Sequence, residues 1–554
     1  MTDHFSAAQP AHATLIRNAT VVDGTGAPRR PLDVVVDRGR INRLAPPGTL
    51  DAAGFRMANV IDADGLVLSP GFIDMHAHSD LQLLLNPAHY AKLSQGVTTE
   101  LLGQDGLSYA PVDDVVLAGV RAKIAGWNDD PADFDFSWRS VRGYLDRLDE
   151  GIATNAAYLV PQGTIRAMVM GFEQAEATAE QVARMQALVR TAMDEGAVGM
   201  SSGLTYTPGM YASTEELAAL CRTVASCGGF YAPHHGSYGK GALTAYAEMI
   251  ELSRVTGCPL HLSHATMNFA PNKGRAGELL ALIEQALDDG VDITLDTYPY
   301  LPGATTLAAI LPSWASSGGS EATLERLADP ACLARIRTDL EVNGSDGCHG
   351  VVVEWETLEI SGVRDSTLTG CVGKTIAGIA AESGRPAFEV FVQILRTDRM
   401  ATGILQHVGH EENVRAILVH STHTGGSDGI LVGAKPHPRS WGTFPRFLGH
   451  YCRELGLLSL EDMVHHLTGR PAARLKLDRR GLIRPGFAAD LVIFDPKTIT
   501  DTASFEEPRQ PATGIEYVFV NGTAAIAAGS PTGALAGRAL RHTSNSEGKT
   551  TAHD

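Results

Sequence analysis

Cysteine is scarce in this chain, and its start has no export signal. The 554 residues include seven cysteines, and no two of them form a Cys-x-x-Cys pair. Such an odd and sparse set argues against a disulfide framework and fits a reducing compartment. The opening residues, MTDHFSAAQPAHATL, lack the basic stretch followed by an apolar stretch that marks a signal peptide. We therefore expect a cytoplasmic protein.

Two further absences narrow the class of partner. No uncharged apolar run reaches the length of a membrane-spanning helix. Positive charge is in deficit, since 45 lysines and arginines stand against 63 aspartates and glutamates, for a formal net charge of −18. This balance argues against nucleic acid and against anionic membrane surfaces as partners. At 44% hydrophobic and 19% charged residues the chain is globular, and its length fits one barrel with a smaller satellite domain.

Both ends of the chain are rich in predicted strands. Residues 14–23 and 32–41 near the start, and 490–494 and 517–522 near the end, are β-rich runs broken by glycine and proline. Because such segments often pair, we predict one composite domain from residues 1–67 and 477–540. The first dozen residues and the tail 541–554 are polar and are predicted to be disordered.

The middle of the chain, residues 68–476, alternates helix and strand. Predicted helices close at Gly196, Gly228, Gly257 and Gly290, and an apolar strand follows each of them. The spacing is about 30 residues, which is the size of one strand–helix unit. Repeated units of this kind predict a parallel sheet. A doubly wound sheet and a closed barrel both satisfy the pattern.

The segment PGFIDMHAHSD, residues 70–80, is the most informative motif. A short apolar run ends in His76-x-His78. Side chains two apart on a strand share a face, so both imidazoles reach one point beyond the strand end. Two converging neutral imidazoles are half of a divalent-metal site. A histidine pair on a surface turn is the competing interpretation.

Further candidate ligands follow other predicted strands. His234 follows residues 230–233, His264 follows 260–263, and Asp428 comes shortly after 416–420. Residues from many strand ends meet at one point only if the strands form a ring, which favours a (β/α)8 barrel with its chemistry at the C-terminal face. The other histidines near these positions are interpreted as structural or supporting residues: His235, His261, His407, His410, His420 and His423.

These features together resemble the N-acyl-D-amino-acid deacylases (D-aminoacylases) of the amidohydrolase superfamily. The resemblance spans residues 13–525. It includes PGFIDMHAH (70–78), GVTT (96–99), SGLTY (202–206), YASTEEL (211–217), TYPY (297–300) and PHPRSWGTFP (436–445). It implies an α/β fold, namely a (β/α)8 TIM barrel over 68–476 with a small β-sandwich domain built from both chain ends. It also implies a lid insertion at about 301–365.

The resemblance also implies a mechanism and a set of site residues. A zinc-activated water attacks an amide carbonyl of a small-molecule substrate, and Asp428 moves the proton and also contacts metal. His234 and His264 match the ligands of one tight zinc site, whereas His76 and His78 match a second, weaker site. Arg439 matches an arginine that binds the substrate carboxylate. Tyr206 and Tyr298 match positions that line the substrate pocket.

Two departures from the family pattern leave the substrate open. The family binds metal through a cysteine in a Gly-Asn-Cys-Gly segment, but residues 103–106 read GQDG, so Asp105 takes the ligand position. The family's Ser-His-Leu-Lys segment reads SHAT at 263–266, so Thr266 replaces a lysine that helps to bind the substrate carboxylate. A cyclic amide or a carbamoyl compound is therefore an alternative substrate. A binding protein that kept the fold without the chemistry is the alternative from another class. The sequence gives no indication of the oligomeric state.

Overall fold

Strands from the first part of the chain build an outer sheet. The computed structural model describes residues 13–50 and 57–542, so our expectations for residues 1–12 and 543–554 lie outside these ranges. The first five strands are β1 (Ala13–Val21), β2 (Arg30–Asp37), β3 (Arg40–Ala45), β4 (Met57–Asp62) and β5 (Val67–Pro70). β1 pairs antiparallel with β2 and parallel with β4 and β5. Its buried faces are rich in Val, Ile and Leu, which suit a pleated core surface.

Seven parallel strands then form most of a barrel. They are β6 (Phe72–Asp74), β7 (Val97–Leu102), β8 (Asn155–Pro161), β9 (Gly199–Gly203), β10 (Tyr231–His234), β11 (Leu260–Leu262) and β12 (Ile293–Thr297). Each pairs in parallel with the next. Nearly all their residues are buried, as expected for strands covered on both faces.

Helices connect these strands and cover the barrel. They are α1 (Gln82–Leu85), α2 (Tyr90–Leu93), α3 (Asp114–Asn128), α4 (Val141–Asp149), α5 (Gln162–Met170), α6 (Ala179–Asp194), α7 (Thr214–Ser226), α8 (Ala242–Thr256) and α9 (Ala276–Asp288). Their starts follow local chemistry. Thr178 and Gln181 form a reciprocal capping box at α6, and the Ser213 hydroxyl accepts the Glu216 N–H at α7. Gly257 ends α8 in a left-handed conformation.

A large insertion leaves the barrel after β12. Its strands β13 (Gly303–Thr306), β14 (Leu358–Gly362) and β15 (Gly403–Gln406) form an antiparallel sheet. Its helices are α10 (Ser320–Arg326), α11 (Pro330–Thr338), α12 (Ile376–Ser383) and α13 (Ala387–Thr397). The segment predicted as a lid, 301–365, lies within this excursion, which continues to Gln406. The insertion has a hydrophobic core of its own, which includes Leu307, Ile360 and Phe391.

The eighth strand closes the barrel. After α14 (Glu411–Leu418), strand β16 (His423–Gly425) pairs in parallel with β12. Backbone hydrogen bonds join it to the segment after β6: Met75 N–H donates to Gly425 O at 3.0 Å, and Asp428 N–H donates to His76 O at 2.8 Å. The predicted (β/α)8 barrel is therefore confirmed, and its seam lies between the His76-x-His78 motif and Asp428.

The last part of the chain returns to the outer sheet. Helices α15 (Arg439–Arg446), α16 (Leu460–Leu467) and α17 (Gly469–Arg474) precede β17 (Leu491–Phe494), β18 (Ile515–Val520), β19 (Thr523–Ala527) and β20 (Ser530–Pro531). β17 pairs antiparallel with β5, which places strands from both chain ends in one sheet. At the start of the predicted tail, Arg541 contacts Asp146 and Asp149. Within the described ranges, no helix has both the length and the hydropathy to cross a bilayer.

Gly103, directly after β7, allows a close backbone contact beside the site. Its φ is +75°, and a Cβ there would lie 2.3 Å from the Leu159 carbonyl oxygen. Gly171 has a similar φ of +69°, but a Cβ there would meet nothing within 4 Å. We predict that Gly171→Ala costs only the backbone strain, of order 1–3 kcal/mol, because its φ of +69° and ψ of −153° lie in a region that is essentially restricted to glycine. Gly103→Ala should cost a further ~1–3 kcal/mol from the clash. Thermal unfolding measures the difference, and equal melting temperatures for the two variants would contradict this account.

Candidate active site

Four histidines surround one carboxylate at the C-terminal mouth of the barrel. Oδ1 of Asp105 lies 3.5 Å from Nε2 of both His76 and His264. Its Oδ2 lies 3.3 Å from Nδ1 of His234 and 3.6 Å from Nε2 of His78. Nδ1 of His234 is also 3.0 Å from Nε2 of His264. The structure thus brings together the four predicted histidines and Asp105, all buried.

The loop after β7 holds Asp105 in place. The residue has a φ of +53°, and its neighbours Gly103 and Gly106 also have positive φ values. The Ser201 hydroxyl on β9 donates to Gly103 O at 2.5 Å and accepts the Gly106 N–H at 3.1 Å. A tight turn clamped at both of its glycines aims the carboxylate inward.

Asp428 contacts the cluster from the opposite side of the seam. Its Oδ1 lies 3.1 Å from Nε2 of His78 and 3.8 Å from Nε2 of His76. Its Oδ2 lies 2.9 Å from Nη2 of Arg439, a close ion pair in which no guanidinium N–H is aligned for a hydrogen bond. The Arg439 side chain is fully buried and stacks over the Tyr298 ring, 4.4 Å from its centroid.

Asp296, at the end of β12, is an additional residue of the cluster that the sequence reasoning missed. Its Oδ2 lies 3.6 Å from Nδ1 of His76 and 3.0 Å from Nε2 of His261. Its Oδ1 accepts the backbone N–H of His264 at 3.0 Å. Carboxylates commonly orient metal-binding histidines in this way. Asp296 lies at the end of a predicted strand, as most of the other candidate ligands do, so the same reasoning could have identified it.

The donor set fits a divalent metal ion. Two sets of three side chains have ligand atoms within 4.8 Å of one another: His76, His78 and Asp428, and His76, Asp105 and His264. Both ring nitrogens of His76 and Oδ1 of Asp105 are buried without a hydrogen-bond partner among the described residues. Because buried polar atoms are rarely left unpaired, these atoms indicate a ligand. Imidazole and carboxylate suit zinc.

The acidic and basic side chains of the site shift one another's pKa values. Burial raises the pKa of Asp105, but the nearby His234 and His76 outweigh it and hold that pKa well below its usual range. Burial also raises the pKa of Asp428, and Arg439 and His78 outweigh it, so this carboxylate is ionised near neutrality. For His76, burial lowers the pKa, but Asp105 and Asp296 raise it to about 9. The field of the carboxylates therefore favours positive charge at the centre of the cluster.

The insertion covers this cluster and shapes a cavity over it. Gly303, Ala309, His349 and Gln406, all from the insertion, line the cavity beside the barrel residues His78, Asp105, His234, His264 and Asp428. Among the residues named from the sequence, Tyr206, Tyr298 and Thr266 also line it. Arg439 does not, since it lies behind Asp428 and Tyr298. Tyr206 donates to, or accepts from, the Thr305 hydroxyl at 2.9 Å, which joins barrel to insertion.

The other histidines have partners away from the cluster. His407 pairs with Glu359, His420 with Glu284, and His423 with His466. His410 contacts the Phe269 carbonyl. His235 lies between the rings of Tyr238 and Tyr246, with centroids 4.1 and 3.9 Å away. His261 reaches the site only through Asp296.

Two further cavity residues were missed by the sequence reasoning. Trp127, on α3, places its ring 5.1 Å from that of His78 and 4.9 Å from that of Tyr206. His349 arrives from the insertion, and burial lowers its pKa to about 3, so its ring is neutral. Neither position follows a predicted barrel strand, so strand-end reasoning could not find them.

The chain matches known proteins over most of its length. Residues 59–526 match the profile described as the amidohydrolase family. A D-aminoacylase of Alcaligenes xylosoxydans xylosoxydans is 36% identical over 96% of this chain and 97% of its own. An N-acyl-D-glutamate deacylase of the same organism is 33% identical over 93% and 94%.

Solved structures agree with this result. An N-acyl-D-glutamate deacylase from Bordetella bronchiseptica, complexed with zinc and a phosphonate mimic of the tetrahedral intermediate, has a TM-score of 0.80 at 31% identity. The two chains are covered to 96% and 99%. A D-aminoacylase structure described by its binuclear metal centre, with activation by one metal and attenuation by the second, has a TM-score of 0.79 at 35% identity and the same coverage.

Proposed function

The chain belongs to the amidohydrolase family, and we propose that it is a zinc-dependent hydrolase of N-acyl-D-amino acids. One observation carries the proposal: four imidazoles and two carboxylates converge at the base of one cavity, with both nitrogens of His76 unpartnered among the described residues. The relatives that match over nearly the whole chain, and are named for N-acyl-D-amino acids, supply the substrate class. The intact donor set argues against a binding protein that lost the chemistry.

We assign two metal positions to these side chains. His234, His264 and Asp105 would hold the tight site that the family resemblance implies, and the atoms that these three side chains turn towards one another are 3.0–3.5 Å apart. His76, His78 and Asp428 would hold a second and weaker site. Each oxygen of Asp105 lies near one histidine of each proposed site, Oδ1 near His264 and His76 and Oδ2 near His234 and His78, so Asp105 could contribute a ligand to both positions. Bound zinc would polarise the scissile carbonyl and lower the pKa of a water molecule at the site.

Asp428 is the proton carrier in this proposal. Its carboxylate is ionised, borders the cavity and lies between the histidines and Arg439. It would accept the proton of the attacking water and return it to the leaving nitrogen. Tyr206 and Tyr298 lie on the cavity wall with protonated hydroxyls, since burial raises the pKa of Tyr298 to about 12 and holds that of Tyr206 well above its usual value. Each can donate a hydrogen bond to the substrate.

The test is a comparison of substrates. Amine release is measured with paired D and L forms of N-acetyl amino acids and with neutral lactams, before and after zinc removal by a chelator. Hydantoins are assayed alongside by chromatography of the N-carbamoyl acid, because opening of their ring frees no amine. Turnover of the D forms that is lost with the metal and restored by zinc supports the proposal. Turnover of the cyclic amides alone would favour the alternative of a cyclic-amide hydrolase. That alternative rests on Thr266, which replaces a lysine of the family's carboxylate-binding site.

His234→Ala should lose zinc and activity together. The imidazole is one of three proposed ligands at the tight site, and even the loss of an indirect contact costs roughly 10–100-fold in metal affinity. Elemental analysis after dialysis measures the zinc. His235→Ala is a matched control, because this neighbouring buried histidine contacts Tyr238 and Tyr246 instead of the cluster. Full zinc occupancy with normal turnover in His234→Ala would refute the assignment.

Asp428→Asn should keep the fold and the tight-site zinc but lose turnover. An amide cannot accept the water proton, and loss of general acid–base catalysis costs about 10²–10⁴-fold. Steady-state kinetics measures the loss, while circular dichroism and zinc content control for folding. Near-native turnover would mean that the proton moves through another group.

Arg439→Ala separates two roles for this arginine. If the N–H groups of Arg439 bind the substrate carboxylate, the variant should lose kcat/KM for an N-acetyl-D-amino acid by a factor equivalent to about 2–4 kcal/mol. The corresponding D-amino-acid amide, which lacks that charge, should be far less affected. An equal loss for both compounds would mean that Arg439 acts through Asp428, which it contacts at 2.9 Å, and that it does not bind substrate.

A further inference from the structure

Lysine and arginine side chains are almost absent from the walls of the space above the cluster of histidines and aspartates. Among the described residues that line the main cavity there is no lysine and no arginine. A second pocket, separated from the first by Trp127 and Tyr206, shares four lining residues with it. Within the described chain, Lys123 is the one lysine or arginine that lines this side pocket. An anionic substrate, in a protein of net charge −18, therefore meets a single cation at the cavity walls.

Lys123 has no partner of its own. It is half-buried on α3, and it makes no hydrogen bond or ion pair with any described residue. Burial alone lowers its pKa to about 8, with no neighbouring carboxylate to oppose it. Partial burial of an unpaired ammonium is costly, because the charge loses part of its hydration. An unpaired one that faces a pocket is suited to a ligand.

The side pocket has the chemistry of a binding site for a flexible acidic chain. Its walls combine apolar side chains such as Leu107, Met210 and Leu311 with hydroxyls such as Thr207 and Ser316. Including the open space at its mouth, it is nearly as large as the main cavity.

Trp127 links Lys123 to the reacting centre. The two residues are four apart on α3 and both line the side pocket. The Trp127 ring packs against His78 and Tyr206, and its buried indole N–H has no partner among the described residues. A second unpaired donor therefore belongs to a residue that lines both pockets.

We propose that Lys123 binds a second carboxylate of the substrate, distinct from the α-carboxylate, at the end of an apolar segment that runs past Trp127 into the side pocket. The inference rests on the proposed function and specifies its substrate class as diacids. The second carboxylate can come from the amino-acid side chain or from a dicarboxylic acyl group, and the two sources share the same recognition chemistry.

The experiment compares diacids with neutral isosteres. N-acetyl-D-glutamate is paired with N-acetyl-D-glutamine, N-succinyl-D-alanine with N-succinamoyl-D-alanine, and N-acetyl-D-alanine serves as the monoacid reference. In wild type, one diacid should exceed its isostere in kcat/KM. Lys123→Met should lower that preference roughly 10- to 100-fold, as expected for a charge-assisted hydrogen bond. The monoacid should change less than about 3-fold, a factor within the spread of minor contacts.

Two controls frame the result. Lys123→Arg should retain the preference, because the cation is kept. Lys497→Met removes an exposed lysine that lines neither cavity and should change nothing. The diacid that responds identifies the source of the second carboxylate. Equal losses for all substrates, or a loss confined to the monoacid, would overturn the proposal, and so would an unchanged preference in Lys123→Met.

A binding measurement keeps this inference separate from the proposed function. If wild type hydrolyses none of these compounds, the proposed function fails, but binding remains measurable. Calorimetry with N-acetyl-D-glutamate and N-succinyl-D-alanine, compared with their neutral isosteres, then tests Lys123 without turnover. Tighter binding of one diacid that Lys123→Met abolishes supports the carboxylate site. Equal affinity of diacids and isosteres for wild type rejects it.

Discussion

The fully buried ammonium of Lys92 holds the barrel seam together beside the histidines and aspartates of the site. Nζ of Lys92 lies 2.5 Å from Oδ2 of Asp74 and 2.7 Å from the hydroxyl of Ser427. Asp74 also accepts the N–H of Ser427 at 2.8 Å and that of His76 at 3.2 Å. Burial lowers the pKa of Lys92, but Asp74 and Glu100 outweigh it and raise it. One ion pair thus fixes the backbone of both site segments, and removing one partner of such a pair costs about 3–5 kcal/mol.

Hydrogen bonds around the barrel mouth hold three site residues in unfavourable backbone conformations. Asp105, His264 and Asp428 have φ values of +53°, +31° and +48°. Such residues cost of order 1–3 kcal/mol each and persist only where the surroundings fix them. For Asp428 the fixing contact is its N–H bond to His76 O, and for His264 it is the N–H bond to Asp296. The stable scaffold therefore orients the ligand atoms before any metal or substrate binds, which lowers the reorganisation that catalysis requires.

Periodicity predicted only a parallel sheet, and the candidate ligands at the strand ends, namely His76, His78, His234, His264 and Asp428, favoured the barrel. Asp105 came only from the family resemblance, because one acidic residue in a Gly-rich loop has no periodic signal. Lys92 and Asp74 escaped prediction for a different reason: the partners Lys92 and Ser427 are 335 residues apart, and only the closed ring brings them into contact. Arg439 was expected at the cavity, but its burial behind Tyr298 depends on side-chain packing that sequence spacing does not encode.

The barrel carries the proposed metal ligands and the insertion carries the cavity roof, so the residues for catalysis and those for substrate specificity lie on different parts of the fold. The proposed metal ligands lie at strand ends that are joined by backbone hydrogen bonds and by the buried ion pair of Lys92 and Asp74. The positions of these ligands therefore tolerate little change. The cavity roof belongs to an insertion with its own hydrophobic core, attached through contacts such as Tyr206–Thr305. Because that core is independent of the barrel core, substitutions in the roof can alter the pocket without moving the ligands. Lys123 lies at the boundary, on a barrel helix that faces insertion residues, where one side chain can set the charge of the substrate that reaches a fixed reacting centre.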